Sequence, residues 1–250
     1  MSDLITVQGV VLSAMPVGEY DKRMVILTRE RGKISAFAKG ARRPSSPFLA
    51  AASPFVFGSF TLYEGRTSYS LNQVTITHQF LELASRQPEI YYGYYFLELA
   101  DYFGREGIDE REMMNLLYVS IKALLNPETD CRLVRCVFEL RTMAEQGMMP
   151  GLFYCSECSR SLTEETDLFF SQEAHGLLGA CCAGKYYDAK RISPAACQAM
   201  RYVVSAPMGR LFAFTVKEEV LLELEHLIHT YTAVNTDRRF KSLQILEVMC

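Results

Sequence analysis

The sequence predicts an α+β chain: an N-terminal five-stranded β-barrel, then an α-helical region with a cysteine-rich segment set into it. Three observations carry that expectation. Short β-branched, apolar or alternating runs separated by turn signals fill the first eighty positions, and apolar residues recur at helical spacing after His78. Four of the eight cysteines crowd between Cys155 and Cys182, and none occurs before Cys131. The boundaries that follow are 1–80 for the barrel and 81–152 for the first helical part. The cysteine-rich segment takes 153–187, and the second helical part 188–250.

Within the barrel region, Ile5–Leu12 is rich in β-branched residues and Met24–Leu27 is a short apolar run. Lys33–Ala38 alternates, and Phe55–Tyr63 and Ser68–Thr77 are two further strands. Arg31-Gly32 and Glu64-Gly65-Arg66 mark hairpin turns. Five short strands in so little chain suit a closed sheet, which leaves no edge exposed.

Helical periodicity then runs through Ile90–Phe103, Glu110–Leu125 and Arg132–Ala144. Asn126-Pro127 ends the second of these, and Gly147 with Pro150 closes the third. The aromatic run Tyr91, Tyr92, Tyr94, Tyr95 and Phe96 at this spacing reads as core. After the cysteines, Ser193-Pro194 is an N-cap followed by proline at the first helical position. Thr215-Val216-Lys217-Glu218 fits a capping box ahead of a helix running to about Thr232.

Composition narrows the functional classes. The start MSDLITVQGVVL has no basic segment ahead of an apolar one, so no secretion signal is expected. The uncharged run from Pro44 to Tyr63 is broken by Pro47, Pro54 and Gly58, which argues against a membrane span. A cytoplasmic protein is the expectation. The net charge of −3 conceals an asymmetry. Residues 1–80 hold nine Lys/Arg against five Asp/Glu, so the barrel is basic while the rest is acidic. Attraction of a polyanion follows local potential, so the barrel is the place to look for a nucleic-acid site.

Its cations include Lys22, Arg23, Arg29, Arg31, Lys33, Lys39, Arg42 and Arg43. The stretch Lys39-Gly40-Ala41-Arg42-Arg43-Pro44 lies where a strand gives way to a Ser/Pro loop. There Gly40 permits close backbone approach to phosphate. Contacts of this kind ignore base sequence and weaken with salt. A solvated charged loop is the competing reading.

Cys155-Ser156-Glu157-Cys158 is a half-site in which two thiolates on a tight knuckle reach one Zn²⁺. The partner half, Cys181-Cys182, is irregular, since adjacent side chains diverge in extended backbone. A four-thiolate site there needs a bent chain, His175 is a substitute ligand, and a metal-free loop of reduced thiols is the remaining alternative. His226 and His229, with Glu223 and Glu225, faintly suggest a carboxylate-type metal site, but no second helix completes it. No P-loop, dinucleotide fingerprint or nucleophile elbow is present.

Gly9-Val10-Val11-Leu12, the Gly18-Glu19-Tyr20-Asp21-Lys22 turn, Thr28 to Ile34 and Ala38 to Arg43 occur in that order, with Phe60-Thr61-Leu62-Tyr63 after them. Together these motifs resemble the N-terminal signature of the RecO family of bacterial recombination mediators. The similarity continues through the helical middle, the Cys155-x-x-Cys158 entry and a Lys241-Ser242-Leu243 tail. The resemblance implies an OB-type barrel, a helical domain and an inserted zinc-finger-like module with structural Zn²⁺. It implies a nucleoid-associated, non-enzymatic activity: binding single- and double-stranded DNA and annealing complementary strands. It also implies partnership with RecR and with the C-terminal tail of single-strand-binding protein in loading RecA. Lys33, Lys39, Arg42 and Arg43 are the DNA positions carried over, with Lys22 and Arg23 as additions. The pattern departs at Gly179, which stands where zinc-bearing members have a third cysteine.

A second function class is a docking adaptor for which DNA contact is secondary. Its motivation is the acidic, aromatic-rich helical part and the Met113-Met114 and Met148-Met149 pairs, with core filler as the competing reading of those pairs. Separately, Arg132, Arg135 and Arg141 on the third helix are candidates to receive an acidic peptide, with a solvated helix face as the competing reading.

Overall fold

The structure, a computed structural model, describes residues 3–249. Five strands open the chain: β1 (Leu4–Val17), β2 (Asp21–Thr28), β3 (Gly32–Ala38), β4 (Val56–Glu64) and β5 (Tyr69–Gln79). They close on themselves in the order β1-β2-β3-β5-β4. All pairings are antiparallel except β3 with β5, a short parallel seam joining Ala36 to Tyr69 and Phe37 to Ser70. Alternation decides which side chains fill the interior. In β3, Ile34, Ala36 and Ala38 point inward, and they meet Met24, Ile26, Phe60 and Leu62. Each large side chain so buried contributes about 2 kcal/mol of transfer free energy.

The first strand is longer than its apolar run. Residues Ser13 to Val17 extend it because they pair with Asp21 to Val25 across a bulge between Val11 and Ser13. Gly32 opens β3 at φ +66, and a Cβ there would lie 2.0 Å from the Arg105 carbonyl oxygen, so only glycine fits.

Three helices follow, α1 (Glu89–Phe103), α2 (Arg111–Leu124) and α3 (Cys131–Glu145). The cysteine-rich segment forms a small sheet of β6 (Leu168–Ser171), β7 (Gly176–Gly179) and β8 (Lys190–Ile192), in the order β7-β6-β8. A single helical turn, α4 (Ala180–Ala183), separates β7 from β8, and α5 (Pro194–Ser205), α6 (Glu218–Val234) and α7 (Lys241–Met249) complete the chain. Tyr92, Tyr95 and Phe96 of α1 are buried, as core aromatics should be.

The chain divides into two compact units. One is Met1–Ile121 with Phe240–Cys250, and the other is Lys122–Arg239. In the first, α7 returns to α1, and Phe240 sets its ring edgewise to Tyr95 and Tyr102. The Glu98 carboxylate accepts from the backbone N–H groups of Lys241 and Ser242, capping α7 from a neighbouring helix.

In the second unit α3 packs on α5 and α6. Ser193 caps α5 through its hydroxyl, which accepts from the Ala196 N–H. The capping box expected at Thr215 does not form. The helix begins two residues later, with Lys217 as N-cap, whose donor-only ammonium cannot accept from a helix N–H, and the Glu218 carboxylate lies 3.0 Å from Arg132.

Candidate nucleic-acid interface and cysteine cluster

The β3–β4 loop begins at Lys39 and is moored to the β1–β2 turn. Gly40, at φ +67, donates its N–H to Asp21 Oδ1 at 2.7 Å. Ala41 is fully buried and pins the loop to the barrel interior. Arg42 donates its backbone N–H to the Tyr20 carbonyl at 2.9 Å. Its Nη1 bridges the carbonyls of Gly18 and Glu19 at 3.1 and 3.0 Å. Arg43 lays its guanidinium 4.7 Å from the centre of the Tyr20 ring.

Lys39, Arg42, Arg43 and Tyr20 are all exposed. The Lys39 ammonium is exposed and has no hydrogen bond or ion pair among the described residues, so its charge is available. The loop therefore presents cations and an aromatic ring from a backbone held at several points. Tyr20 is the residue that charge-based reading passed over. The signal was an aromatic in a turn, between Glu19 and Asp21 and just ahead of Lys22.

The other expected cations differ. Arg23 lies exposed on the outer face and donates Nε to Ser35 Oγ at 2.8 Å. Lys22 is half-buried, its Nζ 2.7 Å from the Ala52 carbonyl. Lys33 bonds the backbone carbonyl of Asp101 and sits 3.4 Å from that residue's carboxylate. Its charge holds a strand to α1, within the first unit.

The three arginines of α3 expected to receive an acidic peptide are committed internally. Arg132 pairs with Glu218 and Glu225 at 3.0 and 2.8 Å, and Arg135 with Glu139 at 2.8 Å. Arg141 pairs with Glu145 and caps carbonyls at the end of α5. The residues of the faint histidine site are scattered. His229 Nδ1 meets Glu139 Oε2 at 2.6 Å, Glu223 holds Ser193, and His226 Nε2 is 3.3 Å from Lys190 Nζ. Of the methionine pairs, Met113 is buried and Met149 exposed.

The cysteines do converge. One ligand atom each from Cys155, Cys158 and Cys182 lies within 4.8 Å of the others, close enough to hold one metal ion. The knuckle is shaped by backbone bonds, Cys155 N–H to the Arg160 carbonyl at 2.7 Å and Ser159 N–H to the Cys155 carbonyl at 2.8 Å. Glu157 ties it to the far side through Lys185 and Tyr186, both at 2.6 Å. Burial disfavours a Cys155 thiolate, yet the N–H groups of Cys158, Gly179 and Glu157 aimed at its sulfur bring the thiol down to about 7. Cys182 hydrogen-bonds to Cys158, is partly desolvated, and is pushed up to about 12.

Cys181 is exposed and falls outside that mutual set, but its Sγ is 3.7 Å from that of Cys182. Both lie on the turn α4, which supplies the bend that adjacent ligands require. His175 is not in that mutual set, and its ring stands edge-on to Tyr231 with centroids 6.4 Å apart. No described helix is long and apolar enough to cross a membrane.

Family models described as Recombination protein O N terminal and Recombination protein O C terminal match residues 1–80 and 88–244. The chain is 31% identical over 243 residues to the DNA repair protein RecO of Alkaliphilus metalliredigens, covering 97% of this chain and 98% of that one. It is 29% identical over 247 residues to that of Symbiobacterium thermophilum, covering 98% of each. Against that of Acetivibrio thermocellus the identity is 26% over 241 residues, covering 96% and 95%.

Proposed function

This chain belongs to the RecO family, and from that premise we propose that it is a non-enzymatic recombination mediator whose barrel grips DNA and anneals complementary strands. The observation that carries the reading is the moored loop, with Lys39, Arg42 and Arg43 exposed around Tyr20. Phosphates meet the cations, and a base stacks on the ring. Arg23, on the β2 outer face, extends the track, and Lys22 and Lys33 support it from within. The strand order β1-β2-β3-β5-β4 suits an OB-type barrel, whose β2–β3 face and adjoining loops receive oligonucleotides.

Annealing by such a surface needs no nucleotide. Binding without base contacts leaves the base edges free to find their complements. In the cell, the mediator acts with RecR and with the C-terminal tail of single-strand-binding protein to help load RecA, in the nucleoid-associated cytoplasm.

We propose structural zinc in the cysteine cluster. Zinc–thiolate bonds of about 2.3 Å place sulfurs about 3.8 Å apart in a tetrahedral site. The grouping of Cys155, Cys158 and Cys182 fits this, and Cys181 supplies the fourth thiolate. Crowded thiols that resist losing a second proton are relieved by a divalent cation. The metal's part is to staple a segment with little core.

The test is annealing of two complementary oligonucleotides, followed by fluorescence without nucleotide. The wild-type chain should accelerate it, with steep loss as salt rises, and Arg42→Glu/Arg43→Glu should abolish most of the acceleration while circular dichroism stays unchanged. Full annealing by that folded variant would refute the barrel grip.

A further inference from the structure

The second unit holds a groove that the DNA-binding reading leaves unused. It is a cavity of about 480 Å³ between the start of α3 and the segment that leads into α6. Leu133, Phe214 and Leu221 form its floor, and Glu128, Asp130 and Glu218 stand around it. None of its lining residues is a cation.

One wall is Phe212 to Val216, part of an extended stretch that runs on to Lys217. Phe212, Phe214 and Val216 are half-buried, whereas Ala213, Thr215 and Lys217 are exposed, the alternation of a strand. Yet this stretch belongs to no sheet. The backbone N–H and C=O groups of Phe214, Thr215 and Val216 have no hydrogen-bond partner among the described residues. The ring of Phe214 is fixed edgewise on Tyr202, 4.9 Å away. An anchored, unpaired strand edge beside an apolar trough is the arrangement that accepts an added strand.

Charge selects among peptides. The Arg132 guanidinium behind the groove is shared between Glu218 and Glu225, so it neutralises only part of the rim. The α3 N-terminus would attract an anion, but Asp130 already caps it by accepting from the Arg132 N–H. Negative potential wins.

The geometry points to a docking site for an extended peptide of a partner protein, pairing with the Phe214–Val216 edge and carrying alternate apolar side chains and lysines or arginines. The apolar side chains fill the trough and the cations meet Glu128 and its neighbours. This site is separate from the DNA grip, and its test does not involve DNA.

The probe is a fluorescein-labelled, end-capped heptapeptide of alternating leucine and lysine, titrated against the full chain by anisotropy. Two companions replace lysine by glutamate, or methylate the backbone nitrogens on one edge. We expect saturable binding of the lysine peptide, weakened about tenfold by Glu128→Lys, an exposed site. Backbone methylation should weaken it by a similar factor, and the glutamate peptide should bind least. Equal binding of the glutamate peptide, or indifference to both Glu128→Lys and methylation, would overturn the proposal. So would sedimentation of the free chain as a dimer that Glu128→Lys dissociates, which would make a second copy the occupant.

Discussion

His229 Nδ1 lies 2.6 Å from Oε2 of Glu139, a carboxylate whose side chain is almost entirely enclosed. Arg135 takes the other oxygen at 2.8 Å. Burial alone would neutralise this acid. The two partners overcome it and hold the carboxyl down to about 2.

Stability should therefore depend on Glu139 in a defined window. A carboxylate in the unfolded chain titrates near 4.3, so the contribution is complete above that value. It drains as pH falls toward about 2, and amounts to about 3 kcal/mol. Urea unfolding followed by circular dichroism at pH 6 and pH 3 should show a larger loss for wild type than for Glu139→Gln. At neutral pH, His229→Ala should cost about 3 kcal/mol, since it strips a hydrogen-bonded partner from an enclosed charge.

Lys33 and Lys39 should separate stability from binding. Lys33→Met removes the tie to Asp101, and should lower unfolding free energy by about 1–2 kcal/mol with little change in DNA affinity. Lys39→Ala should leave the melting curve in place. It should reduce the slope of log affinity against log salt for a single strand by about 0.7, one phosphate contact. Anisotropy titrations at several salt concentrations read both.

Tyr20→Ala tests stacking. Loss of a base–aromatic contact should cost about 1–3 kcal/mol with a single-stranded oligonucleotide, and much less with a duplex, whose bases are already stacked. Equal losses on both substrates would assign the ring only to orienting Arg43.

For the cysteine cluster, elemental analysis should find about one zinc per chain. Cys155→Ser and Cys182→Ser should abolish it. Cys181→Ser should retain the metal but release it at lower chelator concentration, because an exposed fourth position can be taken by water. All four thiols reacting freely in the folded, chelator-free protein would exclude the site.

What the sequence disclosed follows from the range of the interactions. Alternation marked β3, whose Ile34, Ala36 and Ala38 are buried, and short apolar or β-branched runs between turn signals marked β2, β4 and β5, all of them local properties. The last five residues of β1 were not legible. Ser13-Ala14-Met15-Pro16-Val17 has no strand pattern of its own, and only pairing with Asp21–Val25 extends it. Charge composition singled out Lys33 as readily as Lys39, and it could not show that Lys33 reaches Asp101, 68 residues away, while Lys39 stays in solvent. Thr215 through Glu218 satisfied a capping rule, but the helix begins two residues later with Lys217 as its N-cap, and Glu218 lies beside Arg132 of another helix. The cysteine clustering pointed to Cys155, Cys158, Cys181 and Cys182, of which Cys155, Cys158 and Cys182 converge on one point. Whether Cys181 could lie beside Cys182 depended on a helical turn that spacing does not encode.

The α1–α7 pairing has a consequence for synthesis. The first unit consists of residues 1–121 plus 240–250, so its closing helix is made only after the whole second unit. Until then α1 exposes Tyr95 and Tyr102 where Phe240 will sit, and the Glu98 carboxylate has no helix to cap. The barrel can form early from its own neighbours in sequence. The unit that contains it must wait for the whole intervening unit to emerge. An unfinished chain, stalled before Phe240, would carry the loop that we assign to DNA on a body still open to quality-control proteases.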